Sequence, residues 1–422
     1  MNPILETELY ATRGGRLPVL RKIWALLTFC LAMPVLALTG IGAVLYGSIE
    51  SLLTRRAWYV VVRLRTGGTL LRVYGKWVAG ATWAFQCLSG TRQHDTTTFE
   101  RARQELLVVG HRGSPIAHCE NTLASFSAAI AQGANALELD LCFTQDGEVV
   151  IWHDWDPDSN IALLRETGCE PEQRCRPRFG VGAFRRPVPQ LTLGELRTHC
   201  GYAERENGAA LPVGQGEIMT WREFLEAAKA WPELRMVFLD MKLPPSDLCL
   251  AEAMMAQIQA EIAAVHPAFE CVVMTIYPEV LAVFKAVAPQ FRYCLDRQFG
   301  PYFHSTEPAD MAALSTMRDA LWLRHDFASV GRPMFMAMAP WEFYQAVLSL
   351  ELTLRSHARR KPWLIAWTIN DPEEMRWLIH AGVDAILTDK PAQLVQLERA
   401  RKAVAQFQAL TQHPRDAAST GS

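Results

Sequence analysis

Three short apolar runs, each stopping at polar residues, constrain this chain more than any other feature. Between Leu106 and Asp154, LLVVG ends at His111-Arg112, NALELDL carries Glu138 and Asp140, and EVVIW ends at His153-Asp154. A helix-like segment separates the first two runs. The Glu120-Asn121-Thr122 cap opens it, Leu123, Phe126, Ala129 and Ile130 share one face, and Gly133 closes it. Apolar runs of about five residues alternating with helices predict buried parallel strands in a β/α repeat, whose active-site side chains gather at the strand C-termini.

The alternation breaks after Asp154. Residues 155–216 are rich in Pro, Gly and Arg, and only LTLGELRTHC reads as a short helix. An insertion of this kind after a barrel strand shapes the substrate pocket. Helix WREFLEAAKA, strand RMVFLDMK, helix DLCLAEAMMAQIQAEIAAV, strand CVVMTIY, helix PEVLAVFKAVA and strand FRYCLD then follow in order. Between Arg297 and Lys361, LWLRHDF and PMFMAMA each read as a strand and WEFYQAVLSLELTLRSHARR as a helix. Strand WLIAWTIN, helix DPEEMRWLIHAG and strand DAILTDKP precede a closing helix from about Gln393 to Leu410. Eight or nine strands with helices between them predict an α/β fold, a TIM (β/α)8 barrel over residues 105–410 with the insertion after the third strand. An open doubly wound sheet lacks support, because no dinucleotide fingerprint or phosphate-binding P-loop occurs. Residues 411–422 form a C-terminal tail.

In front of the barrel, residues 1–22 are polar, and residues 23–50 contain a charge-free run from Trp24 to Ile49. That run is long enough for a transmembrane helix and exceeds the apolar core of a cleaved signal peptide. Residues 51–104 form a membrane-proximal amphipathic region and linker, in which Trp58, Trp77 and Trp83 interleave with Arg and Lys. Such composition suits the headgroup zone. Packing of these segments on the catalytic domain, or a second short span around residues 77–88, are the alternatives. The chain thus reads as a single-pass membrane protein of a bacterial inner membrane. Basic residues flank the span equally, so the positive-inside rule gives no orientation.

A net charge of −2 with a pI near 6.6 excludes a nucleic-acid footprint. Ten cysteines without paired Cys-x-x-Cys spacing exclude a dense disulfide scaffold and a zinc module. Cys142, Cys271 and Cys294 sit in strand-like runs as small hydrophobes. Cys169 and Cys175 share a polar segment and form either a local disulfide, in an oxidising compartment only, or two loop thiols. They tilt the barrel toward the periplasmic or extracytoplasmic side. Nothing in the sequence indicates an oligomeric state.

Glu138 and Asp140 lie two apart in a strand, so both side chains face one way and can grip one cation. Asp240 and Lys242 repeat that spacing at another strand end. Three carboxylates with water are hard oxygen donors, which suit Mg²⁺ or Ca²⁺ better than zinc. Any one of these acids alone would read as a capping carboxylate; their convergence does not. His111 and His153 can supply one general acid and one general base, and Arg112 and Lys242 can hold an anionic substrate. Together they describe phosphoester cleavage without identifying the ester.

His111-Arg112-Gly113, Glu120-Asn121-Thr122, Glu138-x-Asp140, Thr144-x-Asp146-Gly147 and His153-Asp154 resemble the glycerophosphodiester phosphodiesterase family. The resemblance continues through Asp240-x-Lys242, Trp367-Thr368-x-Asn370 and Gly382-Val383-Asp384 to Thr388-Asp389-x-Pro391, over about residues 105–395. It implies a metal-dependent TIM barrel that hydrolyses glycerophosphodiesters to sn-glycerol 3-phosphate and an alcohol. His111 and His153 would be the acid/base pair, Glu138, Asp140 and Asp240 the metal ligands, and Arg112 and Lys242 phosphate contacts. Glu120 would sit near the metal or the glycerol hydroxyls, and Trp367 would wall the pocket or belong to the barrel core. Members commonly carry Glu where this chain has Asp240, so the third ligand is one methylene shorter. Two rivals accompany this reading: a lysophospholipase D, which keeps the metal site and takes a lysophospholipid, and a catalytically silent membrane-bound binding protein.

Overall fold

The computed structural model of the chain describes residues 106–168, 170, 173–205, 217–298, 316–332 and 341–416. The chain divides into two compact units, Met1–Thr98 with Met338–Thr353 and Phe99–Ala337 with Leu354–Ser422. All strands among the described residues belong to the second. The expected transmembrane helix at 23–50 and the amphipathic region at 51–104 lie outside the described residues.

The expected apolar runs become β1 (Leu107–His111), β2 (Ala136–Phe143) and β3 (Val149–Ile151), with α1 (Leu123–Ala131) between the first two. Thr122 caps α1 by accepting a hydrogen bond from the Ser125 amide, as the sequence predicts. The insertion carries α2 (Asn160–Glu166), β4 (Cys175–Arg178), α3 (Leu193–His199) and β5 (Gly201–Glu204). The repeat resumes with α4 (Trp221–Ala228), β6 (Met236–Met241), α5 (Ala251–Val265), β7 (Glu270–Thr275), α6 (Pro278–Val287) and β8 (Arg292–Gln298). It ends with α7 (Thr316–Trp322), β9 (Phe327–Gly331), α8 (Trp341–His357), β10 (Trp363–Trp367), α9 (Pro372–Ala381), β11 (Ala385–Thr388) and α10 (Pro391–Asp416).

Eight parallel strands pair in the order β1-β11-β10-β9-β8-β7-β6-β2, and β2 closes the ring on β1. Leu107, Val109, Ala136, Phe238, Val272, Met274, Cys294, Phe327, Ile365 and Leu387 pack in one buried cluster, so this is the filled interior of a TIM barrel. The helical stretch Pro245–Val265 is long and apolar enough to cross a bilayer. It links β6 to β7, which hydrogen-bond to each other in the ring, and its apolar residues Met254, Met255 and Ile258 are buried; its composition is that of a core-facing barrel helix.

Three expectations are corrected. The run EVVIW is not a barrel stave: β3 pairs antiparallel with β2, Leu141 opposite Ile151, through a turn in which Gly147 has a φ of 85°. The insertion therefore follows the second stave of the ring, and it has its own two-stranded sheet, Cys175 opposite Glu204. LWLRHDF is not itself a strand; its first residues finish α7, and the stave, Phe327–Gly331, begins at its last residue. PMFMAMA lies outside the described residues. Finally, Cys175 bonds to Cys119, whose Cα lies 5.2 Å away, rather than to its neighbour Cys169, which is outside the described residues. The disulfide ties the insertion to the loop after β1. Arg174 reinforces that seam, its amide donating to the Pro115 carbonyl at 3.0 Å and its guanidinium to the Ala117 carbonyl at 3.0 Å.

Candidate active site

Parallel register places the acids. Glu138 lies opposite His111 of β1, and Asp140 lies directly opposite Asp240 of β6. Period two keeps Glu138 and Asp140 on one face, so all three carboxylates meet at the C-terminal mouth with ligand atoms within 4.8 Å of one another. This group could hold a metal ion. Lys242 stands over it, its Nζ 2.9 Å from Asp140 Oδ1 and 2.6 Å from Asp240 Oδ2.

The three acids do not titrate alike. Burial, with Asp140 and Asp240 close by, raises the pKa of Glu138 well above the carboxylate range. Burial and the Asp140 charge also raise Asp240, against the pull of Lys242. For Asp140 burial acts in the same sense, but Lys242 and Arg112 overcome it and hold the carboxyl below the usual range. Lys242 and Arg112 thus favour the charged form of Asp140, while crowding disfavours it at Glu138 and Asp240. Asp140 Oδ1 is buried and faces the Lys242 ammonium at 2.9 Å, while Oδ2 accepts from Asn121.

Residues 112–125 are folded tightly around this cluster. Gly113 has a φ of 92°, and a Cβ there would lie 2.5 Å from Ser125 Oγ, so only glycine lets the loop close on α1. Arg112 and Asn121 adopt left-handed backbones, φ 52° and 56°. Hydrogen bonds hold both: the Arg112 amide donates to Glu138 Oε2 at 2.9 Å, and Asn121 Nδ2 donates to Asp140 Oδ2 at 2.7 Å. The Arg112 side chain lies among acids, with Nη1 2.6 Å from Glu120 and 3.0 Å from Glu170, and Nε 3.0 Å from Asp140. Glu120 is buried, with its carboxylate bonded to Arg112 and Arg165.

The two histidines are held alike. His111 Nδ1 lies 2.8 Å from Asp389 Oδ1, and Asn370 Nδ2 donates to Asp389 Oδ2 at 2.7 Å. His153 follows the β3 hairpin, which returns the chain to the mouth, where the Trp152 amide donates to the Asp140 carbonyl at 3.0 Å. Its Nδ1 lies 2.8 Å from Asp154 Oδ1. A ring nitrogen against a carboxylate carries the proton, so Nε2 of each histidine is left for chemistry. Burial, reinforced by Arg165, Lys242 and Arg112, pushes the His153 pKa well below its ordinary value, which makes the neutral imidazole the resting form.

Trp367 packs against the barrel core cluster and donates its indole N–H to Asp296 at 2.6 Å. Asp296 is buried in the same mouth, and burial together with Asp240 pushes its carboxyl up to about 7. Asp296, Asp389, Asn370, Arg165 and Glu170 were not singled out from the sequence. Asn370 and Asp389 stand inside quoted motifs, whereas Arg165 and Glu170 lie in the insertion, where no periodicity marks them.

The glycerophosphoryl diester phosphodiesterase family matches residues 111–393. Among curated relatives, a glycerophosphodiester phosphodiesterase of Caldanaerobacter subterraneus subsp. tengcongensis is 24% identical over 298 residues, 69% of this chain and 98% of that one. A human lysophospholipase D is 38% identical over 64 residues, 15% of this chain and 20% of that one. Among solved structures, a candidate glycerophosphoryl diester phosphodiesterase from Silicibacter pomeroyi superposes with a TM-score of 0.54 at 20% identity, covering 73% of this chain and 99% of that one. That likeness bears on the fold.

Proposed function

Because the chain belongs to the glycerophosphoryl diester phosphodiesterase family, and so is a phosphodiesterase acting on glycerophosphodiesters, we propose that it releases sn-glycerol 3-phosphate with Glu138, Asp140 and Asp240 as metal ligands and His111 and His153 as the acid/base pair. The observation that carries this reading is the meeting of three carboxylates from two adjacent staves beside a carboxylate-held histidine. An all-oxygen donor set suits Mg²⁺ or Ca²⁺. A divalent ion bound there would supply Lewis-acid polarisation of a phosphoryl oxygen and offset the developing charge.

The chain's own groups do the rest. His153, neutral at rest, takes the proton of the attacking hydroxyl at Nε2 as the new P–O bond forms. His111, entering the step as an imidazolium with a proton on Nε2 as well as on Nδ1, gives the Nε2 proton to the leaving oxygen as the old P–O bond breaks. The attacking hydroxyl belongs to water or to the substrate's own glycerol, which would yield a cyclic phosphate first. Lys242, whose side chain is 19% exposed against 6% for Arg112, is the main phosphate contact, and Arg112 chiefly fixes the carboxylates. Trp367 walls the pocket above the barrel core.

Small diesters such as glycerophosphocholine or glycerophosphoethanolamine are the proposed substrates. A lysophospholipase D activity is the second reading, favoured by the exposure of Ile161, Leu163, Leu164 and Val181 on the insertion, where an acyl chain or a lipid surface could lie. Phosphorus NMR of the products separates the readings. Soluble diesters should give glycerol 3-phosphate, with or without a cyclic intermediate. Turnover of lysolipid micelles alone would transfer the assignment to the second activity, and turnover of neither would remove both.

We also propose that residues 23–50 anchor the enzyme and that the barrel stands on the oxidising side of the membrane. The Cys119–Cys175 disulfide supports this side, since such bonds persist outside reducing compartments. In protein taken from acid-quenched cells, Cys119 and Cys175 should resist maleimide until reduced. Labelling of both without reductant would return the barrel to the cytoplasm.

A further inference from the structure

Arg165 is the least expected residue near the site. It lies in the last turn of α2, in the insertion, yet only 1% of its surface is exposed. Ala162 and Arg165, one turn apart, face inward, while Ile161 and Leu164 face solvent. All three guanidinium nitrogens are used. Nε donates to Glu170 Oε2 at 2.9 Å, Nη1 bonds Asp154 Oδ2, and Nη2 bonds Glu120 Oε1. A buried fork of this kind needs the planar five-donor geometry of arginine, which a lysine ammonium cannot reproduce.

The consequence lies in how Asp154 is shared. Its Oδ2 is bound by Arg165 and its Oδ1 by His153 Nδ1, so the carboxylate cannot rotate without breaking one or the other. We propose that Arg165 is a positioning residue for His153, acting through Asp154 to fix the imidazole tautomer and aim Nε2 at the substrate. Glu120 and Glu170 lock Arg165 in turn. Arg112 bonds those same two acids, which joins the clamp to the metal cluster. The Cys119–Cys175 bond sits beside Glu120 and prevents the two halves of the clamp from separating. Burial, with Glu120 and Glu170 close by, pushes the Asp154 carboxyl up to about 6 even against the pull of Arg165.

The inference rests on the acid/base role proposed for His153, and a double-mutant cycle on the full-length enzyme separates the two. Arg165→Lys should lower kcat for a glycerophosphodiester by about 10–100-fold, the usual cost of losing an outer-shell partner, with KM within about threefold. In the His153→Ala background the same substitution should have almost no further effect, because residues acting as one unit are not additive. An equal loss in both backgrounds, or no loss in the parent, would overturn the proposal. If His153→Ala alone retains its rate, the acid/base reading fails first, before Arg165 is touched. Should Arg165→Lys shift the urea midpoint strongly, Glu170→Gln, which weakens the contacts to Arg165 Nε and Arg112 Nη1 while keeping both arginines, carries the same cycle with a smaller expected loss of a few fold.

Discussion

His153→Ala and His111→Ala should each lower kcat for an alkyl glycerophosphodiester by about 10²–10⁴-fold, the range for removing a positioned acid or base. The two losses should part company when the leaving group changes. An aryl leaving group such as nitrophenolate departs without protonation, so His111→Ala should recover most of its rate on a glycerophosphoryl nitrophenyl ester. His153→Ala should not, because the attacking hydroxyl still needs its proton removed. Reversal of that pattern would exchange the two roles, and full activity of either variant on both substrates would remove that residue from the chemistry. The pH profile supplies an independent check. Burial and three nearby cations depress the His153 pKa, so its neutral form persists to lower pH than an ordinary histidine allows. The acidic limb governed by this base should accordingly fall below the usual histidine range.

Removal of divalent metal should be comparably severe. Exhaustive chelation, verified by elemental analysis, should cost at least about a hundredfold in rate, and Mg²⁺ or Ca²⁺ should restore it. Asp140→Asn should be harsher than Glu138→Gln, since Asp140 also holds Lys242, Arg112 and Asn121 in place. A readout independent of turnover accompanies this. An ion that binds only the folded state at a hundred times its Kd stabilises by about 2.7 kcal/mol, so the metal should raise the unfolding midpoint of the parent and not of Asp140→Asn. Undiminished turnover by demonstrably metal-free enzyme would remove Glu138, Asp140 and Asp240 from the ligand role.

Much of this geometry was legible in the sequence, for identifiable physical reasons. Period-two spacing put Glu138 and Asp140 on one face whatever the fold, and the same spacing at Asp240 and Lys242 marked a matching stave; the two staves are neighbours, with Asp140 level with Asp240. Direction was not legible in EVVIW, because an apolar run looks the same parallel or antiparallel. The Asp146-Gly147 pair just before it is a hairpin signal that could have decided the matter. Phe327–Gly331 was missed because Ala, Ser and Gly dilute its apolar contrast, while the neighbouring Leu-Trp-Leu attracted the strand assignment. Disulfide connectivity cannot be read from spacing, and Cys175 duly bonded across 56 residues rather than six. Arg165 had no local signature at all, since an arginine in the last turn of a short helix reads as a solvent-facing charge until the three acids around it are known.

The antiparallel hairpin of β3 has a consequence for how such an enzyme can diverge. In most barrels of this kind chemistry is carried by the staves and selectivity by loops, so loops can be exchanged over a constant reactive centre. Here the ring closes without β3, and His153 is delivered by a segment continuous with the insertion. A graft of a foreign insertion would import new selectivity only if it also brought an equivalent of Arg165 to seat Asp154. Substrate range and catalytic competence are therefore inherited together in this scaffold, and change in one must pass through the other.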